Sequence, residues 1–150
     1  MVLRTLSKGY SLAGLRLGYG IGRPALIREL FKVKDSYNVD AVAIALGTAA
    51  ILDQDYKNAC AEKVKRSRTT LTQALQQLGF DVLPSCGNFV LSTPPANAPL
   101  KAQAIYLALK ERGILVRYFN QPGLDDKLRI TVGTDDQIQQ LIQALTVILR

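Results

Sequence analysis

Apolar and polar positions change their spacing several times along this chain, and each change marks an element. Residues 2–7 read as a short strand. Residues 15–21 read as a second strand, nearly all apolar, of the kind a sheet covered on both faces requires. Gly22-Arg23-Pro24 breaks it, and Pro24 suits the first turn of a helix. Residues 25–34 carry Leu26, Ile27, Leu30 and Phe31 at helical spacing, until Ser36-Tyr37-Asn38 interrupts. Residues 40–78 are helical for unusually long. Ala41, Ile44, Ala45, Thr48, Ala49 and Leu52 form one stripe, and Val64, Leu71, Leu75 and Leu78 another. Asp53-Gln54-Asp55 marks a break between two helices, and Gly79 fits a helix C-terminus.

The second half changes character. Residues 82–84 and 88–92 read as strand segments around the turn Ser85-Cys86-Gly87, followed by a proline-rich loop. Residues 100–112 form a helix with Ala104, Ile105, Leu107, Ala108 and Leu109 inside, stopped by Gly113. Residues 114–118 and 128–132 are strands joined through Gln121-Pro122-Gly123. Thr134-Asp135-Asp136-Gln137 is a capping-box pattern, and Ile138, Leu141, Ile142, Leu145, Ile148 and Leu149 give the last helix its buried face. The pattern is therefore bipartite: a βαβ-like piece leads through long helices into a compact α+β unit.

Composition narrows the chemistry. At 150 residues and 48% hydrophobic, the chain suffices for a real core. No apolar run is long enough to span a bilayer and no charged-then-apolar leader is seen, so a cytoplasmic protein without a membrane partner is expected. Cys60 and Cys86 are too few and too far apart for a zinc site; reduced, buried thiols are expected, and no metal. The absence of histidine removes Ser-His-Asp triads, Cys-His pairs and histidine metal sites from what this chain alone can build. The net charge of +7 is dispersed, apart from Lys63, Lys65, Arg66 and Arg68 on a helical stretch. With no recognition motif beside it, the charge points to anionic small molecules rather than nucleic acid.

The chemistry concentrates in Thr5-Leu6-Ser7-Lys8-Gly9-Tyr10-Ser11-Leu12-Ala13-Gly14-Leu15-Arg16-Leu17-Gly18. A lysine ending an apolar stretch can lose its charge by desolvation and attack carbonyls. An arginine a few residues later can grip a phosphate. An amine for an aldehyde and a clamp for a phosphate are two needs of a pyridoxal-phosphate site. Arg129 lies within the strand 128–132, flanked by positions expected to be buried, where an arginine needs a counter-ion.

The run resembles the Schiff-base lysine motif of the fold-type I aminotransferases, closest to their histidinol-phosphate branch. The other matching blocks are Tyr37-Asn38-Val39, Gly87-Asn88-Phe89-Val90, Gly113-Ile114-Leu115-Val116-Arg117 and Leu128-Arg129-Ile130-Thr131-Val132-Gly133-Thr134, so the resemblance covers essentially the whole chain. It implies an α/β fold: the C-terminal part of a pyridoxal-phosphate-dependent transferase, with a remnant of the large-domain sheet (1–38), linking helices (39–79) and a small α+β domain (80–150). By the same resemblance Lys8 is the catalytic lysine, and Thr5, Ser7, Lys8 and Arg16 hold pyridoxal 5'-phosphate. Arg129 binds the acidic group of the substrate, and Arg117 and Asn88 line the substrate side. The implied partners are an amino-acid or amino-phosphate substrate, a 2-oxo acid and a second copy in a homodimer.

One departure is large. The family takes much of its cofactor site from sequence before the lysine, and only seven residues precede Lys8 here. Two further readings stand beside transamination of histidinol phosphate with 2-oxoglutarate: a related aromatic aminotransferase or threonine-phosphate decarboxylase-like enzyme, and a non-catalytic C-terminal fragment.

Overall fold

A computed structural model describes residues 1–150. The chain divides into two compact units, Met1–Ala61 and Glu62–Arg150.

In the first unit, β1 (Val2–Thr5) pairs antiparallel with β2 (Gly18–Ile21), with Thr5 opposite Gly18. The two strands are thus a hairpin with a long loop, not part of a βαβ turn. Residues 15–17 are not strand: Ala13–Leu15 forms a single 3-10 turn and Arg16 adopts a left-handed conformation, φ 55°. The apolar strand residues are not covered within this unit, and Val2, Leu3, Tyr19 and Ile21 are all exposed. Helix α1 (Pro24–Val33) follows, with Pro24 in its first turn.

Helix α2 (Ala41–Leu52) starts at Asp40, whose carboxylate accepts from the Ala43 backbone N–H at 2.8 Å. Its buried positions are Ala43 and Gly47, whereas Ile44 and Leu52 from the expected stripe are exposed. The reason is close approach. A Cβ on Gly47 would clash with Leu17 Cδ2 and lie 3.6 Å from Leu6 Cδ1, so the helix meets the loop through its small residues. Helix α1 buries none of its expected stripe either. Asp53 separates α2 from α3 (Gln54–Gln77), and its carboxylate accepts from the Tyr56 N–H.

The second unit has one conventional core. Strands β3 (Asp81–Val82), β4 (Phe89–Thr93), β5 (Arg117–Tyr118) and β6 (Leu128–Thr131) form an antiparallel sheet in the order β3-β4-β6-β5. Alternation sends Val90, Ser92, Leu128 and Ile130 inward. They meet Leu71 and Leu75 of α3, Ile105 and Leu109 of α4 (Ala102–Glu111), and Ile138, Leu141 and Leu145 of α5 (Asp135–Ile148). Leu107, expected inside, is exposed because it lies on the opposite side of α4 from Ile105 and Leu109. The capping box forms: Thr134 accepts from the Gln137 N–H while Gln137 Oε1 accepts from the Thr134 N–H at 3.0 Å. Both cysteines are free, but Cys86 is exposed in its turn and Cys60 only half-buried, so neither is the buried thiol expected.

Candidate functional site

Leu6 anchors the loop that carries Lys8. It is buried, its N–H donates to the Leu17 carbonyl at 3.0 Å, and its carbonyl accepts from the Leu12 N–H at 3.2 Å. The first of these bonds carries the β1–β2 pairing one step past Thr5, so Ser7 and Arg16 leave the hairpin at the same end. Lys8 then opens a turn closed by the Ser11 N–H on the Lys8 carbonyl at 3.1 Å. Ser11, like Arg16, has a left-handed backbone, φ 56°. Each such non-glycine residue stores roughly 1–3 kcal/mol of strain, a feature of sites where backbone shape serves a ligand.

On this loop the Thr5 hydroxyl donates to Ser7 Oγ at 2.7 Å, and the Ser7 N–H donates to Thr5 Oγ1 at 3.1 Å. The Arg16 guanidinium donates to the Ala13 carbonyl of its own loop. The chain's ion pairs are Lys32–Glu29, Lys65–Glu62 and Lys127–Asp126, so Lys8 and Arg16 are bound to no acid. Lys8 is exposed; the desolvation expected from its apolar approach is not supplied by this chain. The loop gathers two hydroxyls, a guanidinium and an amine, a donor set suited to a phosphate and a carbonyl.

Beside it, Gly9, Tyr10, Ser11, Asp53, Lys57 and Cys60 help line a cavity of about 160 Å³. Gln54 Nε2 donates to the Tyr10 hydroxyl at 3.2 Å. The neighbouring Cys60 thiol, through hydrogen bonding and then charge, holds the Tyr56 phenol above its ordinary value of 10.0.

The second unit presents Arg117 and Arg129 on the sheet face turned away from its core, whereas Asn88 lies just outside the sheet. Arg117 of β5 and Arg129 of β6 are register partners. Arg129 is half-buried, with its guanidinium carbon 5.3 Å from the Phe89 ring centre and 5.5 Å from that of Phe119. The Arg117 guanidinium carbon lies 5.3 Å from the same Phe119 ring. Neither arginine belongs to an ion pair. Two unpaired guanidiniums backed by aromatic faces form a donor set suited to an anion. Asn88 immediately precedes β4, and its carbonyl accepts from the Val132 N–H at 2.9 Å. Ser85 and Arg68 hold that turn: Ser85 Oγ donates to the Phe89 carbonyl at 2.6 Å, and Arg68 donates to the Gly87 carbonyl at 2.8 Å.

Thr5, Ser7, Lys8 and Arg16 thus share one loop of the first unit, and Arg117 and Arg129 share one sheet face of the second. Sequence reasoning missed Phe89 and Phe119. The signal was present: Phe119 follows Arg117 by two positions, so an extended segment puts both on one side. The wider groove of the second unit, about 340 Å³ between residues 113–116 and 130–133, contains none of the predicted site residues.

Residues 1–145 match the family model described as aminotransferase class I and II. Over 145 residues the chain is 63% identical to histidinol-phosphate aminotransferase 1 of Nostoc sp. strain PCC 7120, covering 97% of this chain and 40% of that protein. Its backbone superposes on histidinol-phosphate aminotransferase from Sinorhizobium meliloti, solved in complex with pyridoxal-5'-phosphate, with a TM-score of 0.85 and 30% identity, covering 99% of this chain and 40% of that one. L-threonine-O-3-phosphate decarboxylase from Porphyromonas gingivalis gives a TM-score of 0.81 at 26% identity, over 97% of this chain and 45% of that one. The chain spans about two fifths of the length of the relatives it matches.

Proposed function

Because this chain belongs to the class I and II aminotransferases, we propose that it carries the lysine and the anion-binding arginines of a pyridoxal-phosphate-dependent enzyme. That enzyme transfers an amino group between histidinol phosphate and 2-oxoglutarate in histidine biosynthesis. The observation that carries this reading is the loop of Thr5, Ser7, Lys8 and Arg16, free of acidic partners, in a chain 63% identical to a histidinol-phosphate aminotransferase.

The residues fit the cofactor. The Thr5 and Ser7 hydroxyls and the Arg16 guanidinium supply donors to its phosphate, and Lys8 Nζ, exposed and unpaired, is available to its aldehyde. Bound pyridoxal phosphate supplies an electron sink that makes the substrate α-hydrogen acidic. Lys8 Nζ would take up and return that proton. Arg129 and Arg117 hold the acidic group of the substrate, and Asn88 borders the substrate side.

On this reading residues 1–38 end the large cofactor-binding domain, 39–79 link, and 80–150 form the small domain. The enzyme works in the cytoplasm as a homodimer, without nucleic acid or membrane partners. No helix of the chain is long and apolar enough to cross a membrane.

A chimera tests the reading. The part of the Nostoc enzyme that precedes the match is joined to this chain and assayed with histidinol phosphate and 2-oxoglutarate. Turnover abolished by Lys8→Ala is expected. A soluble chimera that binds pyridoxal phosphate but does not turn over histidinol phosphate would overturn the substrate assignment. The likeness to the threonine-phosphate decarboxylase favours a second reading. Release of carbon dioxide from O-phosphothreonine would establish that reading instead.

A further inference from the structure

We propose that Phe119 is a positioning residue that holds Arg117 and Arg129 as a pair poised for one phosphate group; the proposal rests on the reading of this pair as the site of the substrate's acidic group.

Two guanidiniums in direct register repel one another. With no carboxylate pairing with either, nothing acidic keeps them together. The Phe119 ring does what a carboxylate would otherwise do. It lies 5.3 Å from the guanidinium carbon of Arg117 and 5.5 Å from that of Arg129, within the range where a ring face attracts a cation. A ring holds the cations without neutralising them, so their full charge remains for an incoming anion; an acid in the same place would compete with the ligand.

The ring itself is held. Tyr118 packs against the core and stacks on Tyr106 of α4, ring centres 6.1 Å apart and planes 24° from parallel. Anchoring Tyr118 on the core side fixes the neighbouring Phe119 on the other. Phe119 and Phe89 are absent from the hydrophobic core and from the apolar residues packed on it, so burial does not account for either ring. Their contacts differ: Phe119 faces both arginines, whereas Phe89 faces Arg129 alone.

That asymmetry gives the test. In the ¹⁵N-labelled 150-residue chain, the heteronuclear NOE of each arginine Nε–Hε reports its order. Phe119→Leu is expected to lower both values, Phe89→Leu to lower Arg129 only, and Phe119→Tyr to restore the wild-type pattern. The amides of Leu128 and Ile130 serve as the fold control. Titration with inorganic phosphate is expected to shift both Nε–Hε signals, with the dissociation constant raised roughly threefold to tenfold in Phe119→Leu. Equal phosphate affinity in wild type and Phe119→Leu would overturn the role of Phe119 while leaving the arginine pair as the anion site. A wild-type chain whose arginine signals ignore phosphate would overturn the anion site itself, and this proposal with it. Loosening of Arg117 by Phe89→Leu as strong as that of Arg129 would show general disorder of the sheet face and also overturn the proposal.

Discussion

Arg117 and Arg129 face each other as register partners on β5 and β6, and neither has an acidic partner. Like charges set opposite on adjacent strands destabilise a sheet, so a fold shaped for stability alone would not place them there. Arg117→Ala is therefore expected to leave the second unit as stable as before, or more stable by up to about 1 kcal/mol. Chemical denaturation of the chain checks this. In the active chimera the same change should raise the Michaelis constant for histidinol phosphate, and Arg129→Ala should raise it more, because Arg129 is the half-buried member held between two rings.

Arg16→Ala should act on the cofactor rather than the substrate. A charge-assisted hydrogen bond contributes about 1.5–3 kcal/mol, so the dissociation constant for pyridoxal phosphate should rise about tenfold to a hundredfold. Equilibrium dialysis of the chimera measures it. An unchanged constant, with a raised Michaelis constant for substrate, would exchange the roles of Arg16 and Arg129.

Gly18 tests the backbone beneath this loop. A Cβ there would stand 2.7 Å from the Arg4 carbonyl oxygen, a backbone atom of the paired strand. Gly18→Ala must separate β1 from β2 at the end where Thr5 and Ser7 sit, at a cost of about 1–3 kcal/mol. Gly47→Ala is the contrasting case. Its added methyl would strike the tip of Leu17, which can turn aside, and alanine's better helix propensity offsets about 1 kcal/mol of the strain. Gly18→Ala should therefore lower cofactor affinity and Gly47→Ala should change it little, as fluorescence titration of the chimera would record.

Much of the second unit was legible in its sequence. The stripe of α5 and the capping box at Thr134 name a buried face and a helix start without help from the rest of the chain, and both are found. The first unit was less legible, for a physical reason. Periodicity locates the apolar face of a helix but not what covers it. In α2 the large residues Ile44 and Leu52 stay exposed, while small Ala43 and Gly47 make the close contact. The nearly all-apolar stretch of residues 15–21 also hid the left-handed turn at Arg16, which only the backbone reveals. The candidate site was half legible: the charged groups stand out in the sequence, whereas Phe89 and Phe119, whose rings lie against Arg117 and Arg129, carry no such mark until the packing is known.

The two units should differ in local stability. The Leu6 N–H donates to the Leu17 carbonyl at 3.0 Å and the Val132 N–H to the Asn88 carbonyl at 2.9 Å, two bonds of nearly equal length. Their surroundings are unequal. In the first unit only Leu6, Ala43 and Gly47 are buried, whereas Val132 packs against a core that includes Leu71, Val90, Ile130 and Leu145. Protection from exchange follows the free energy of the opening that frees an amide, and that energy follows the apolar surface that opening exposes to water rather than the length of one bond. In the chain by itself, the Leu6 amide is therefore expected to exchange well before that of Val132, with the Leu3 and Tyr19 amides of the hairpin exchanging fastest of all. Hydrogen exchange followed by NMR gives all four rates. Protection of Leu6 equal to that of Val132 would mean that the first unit draws stability from interactions other than those of its three buried residues, and the assignment of residues 1–38 to a larger cofactor-binding domain would lose its physical basis.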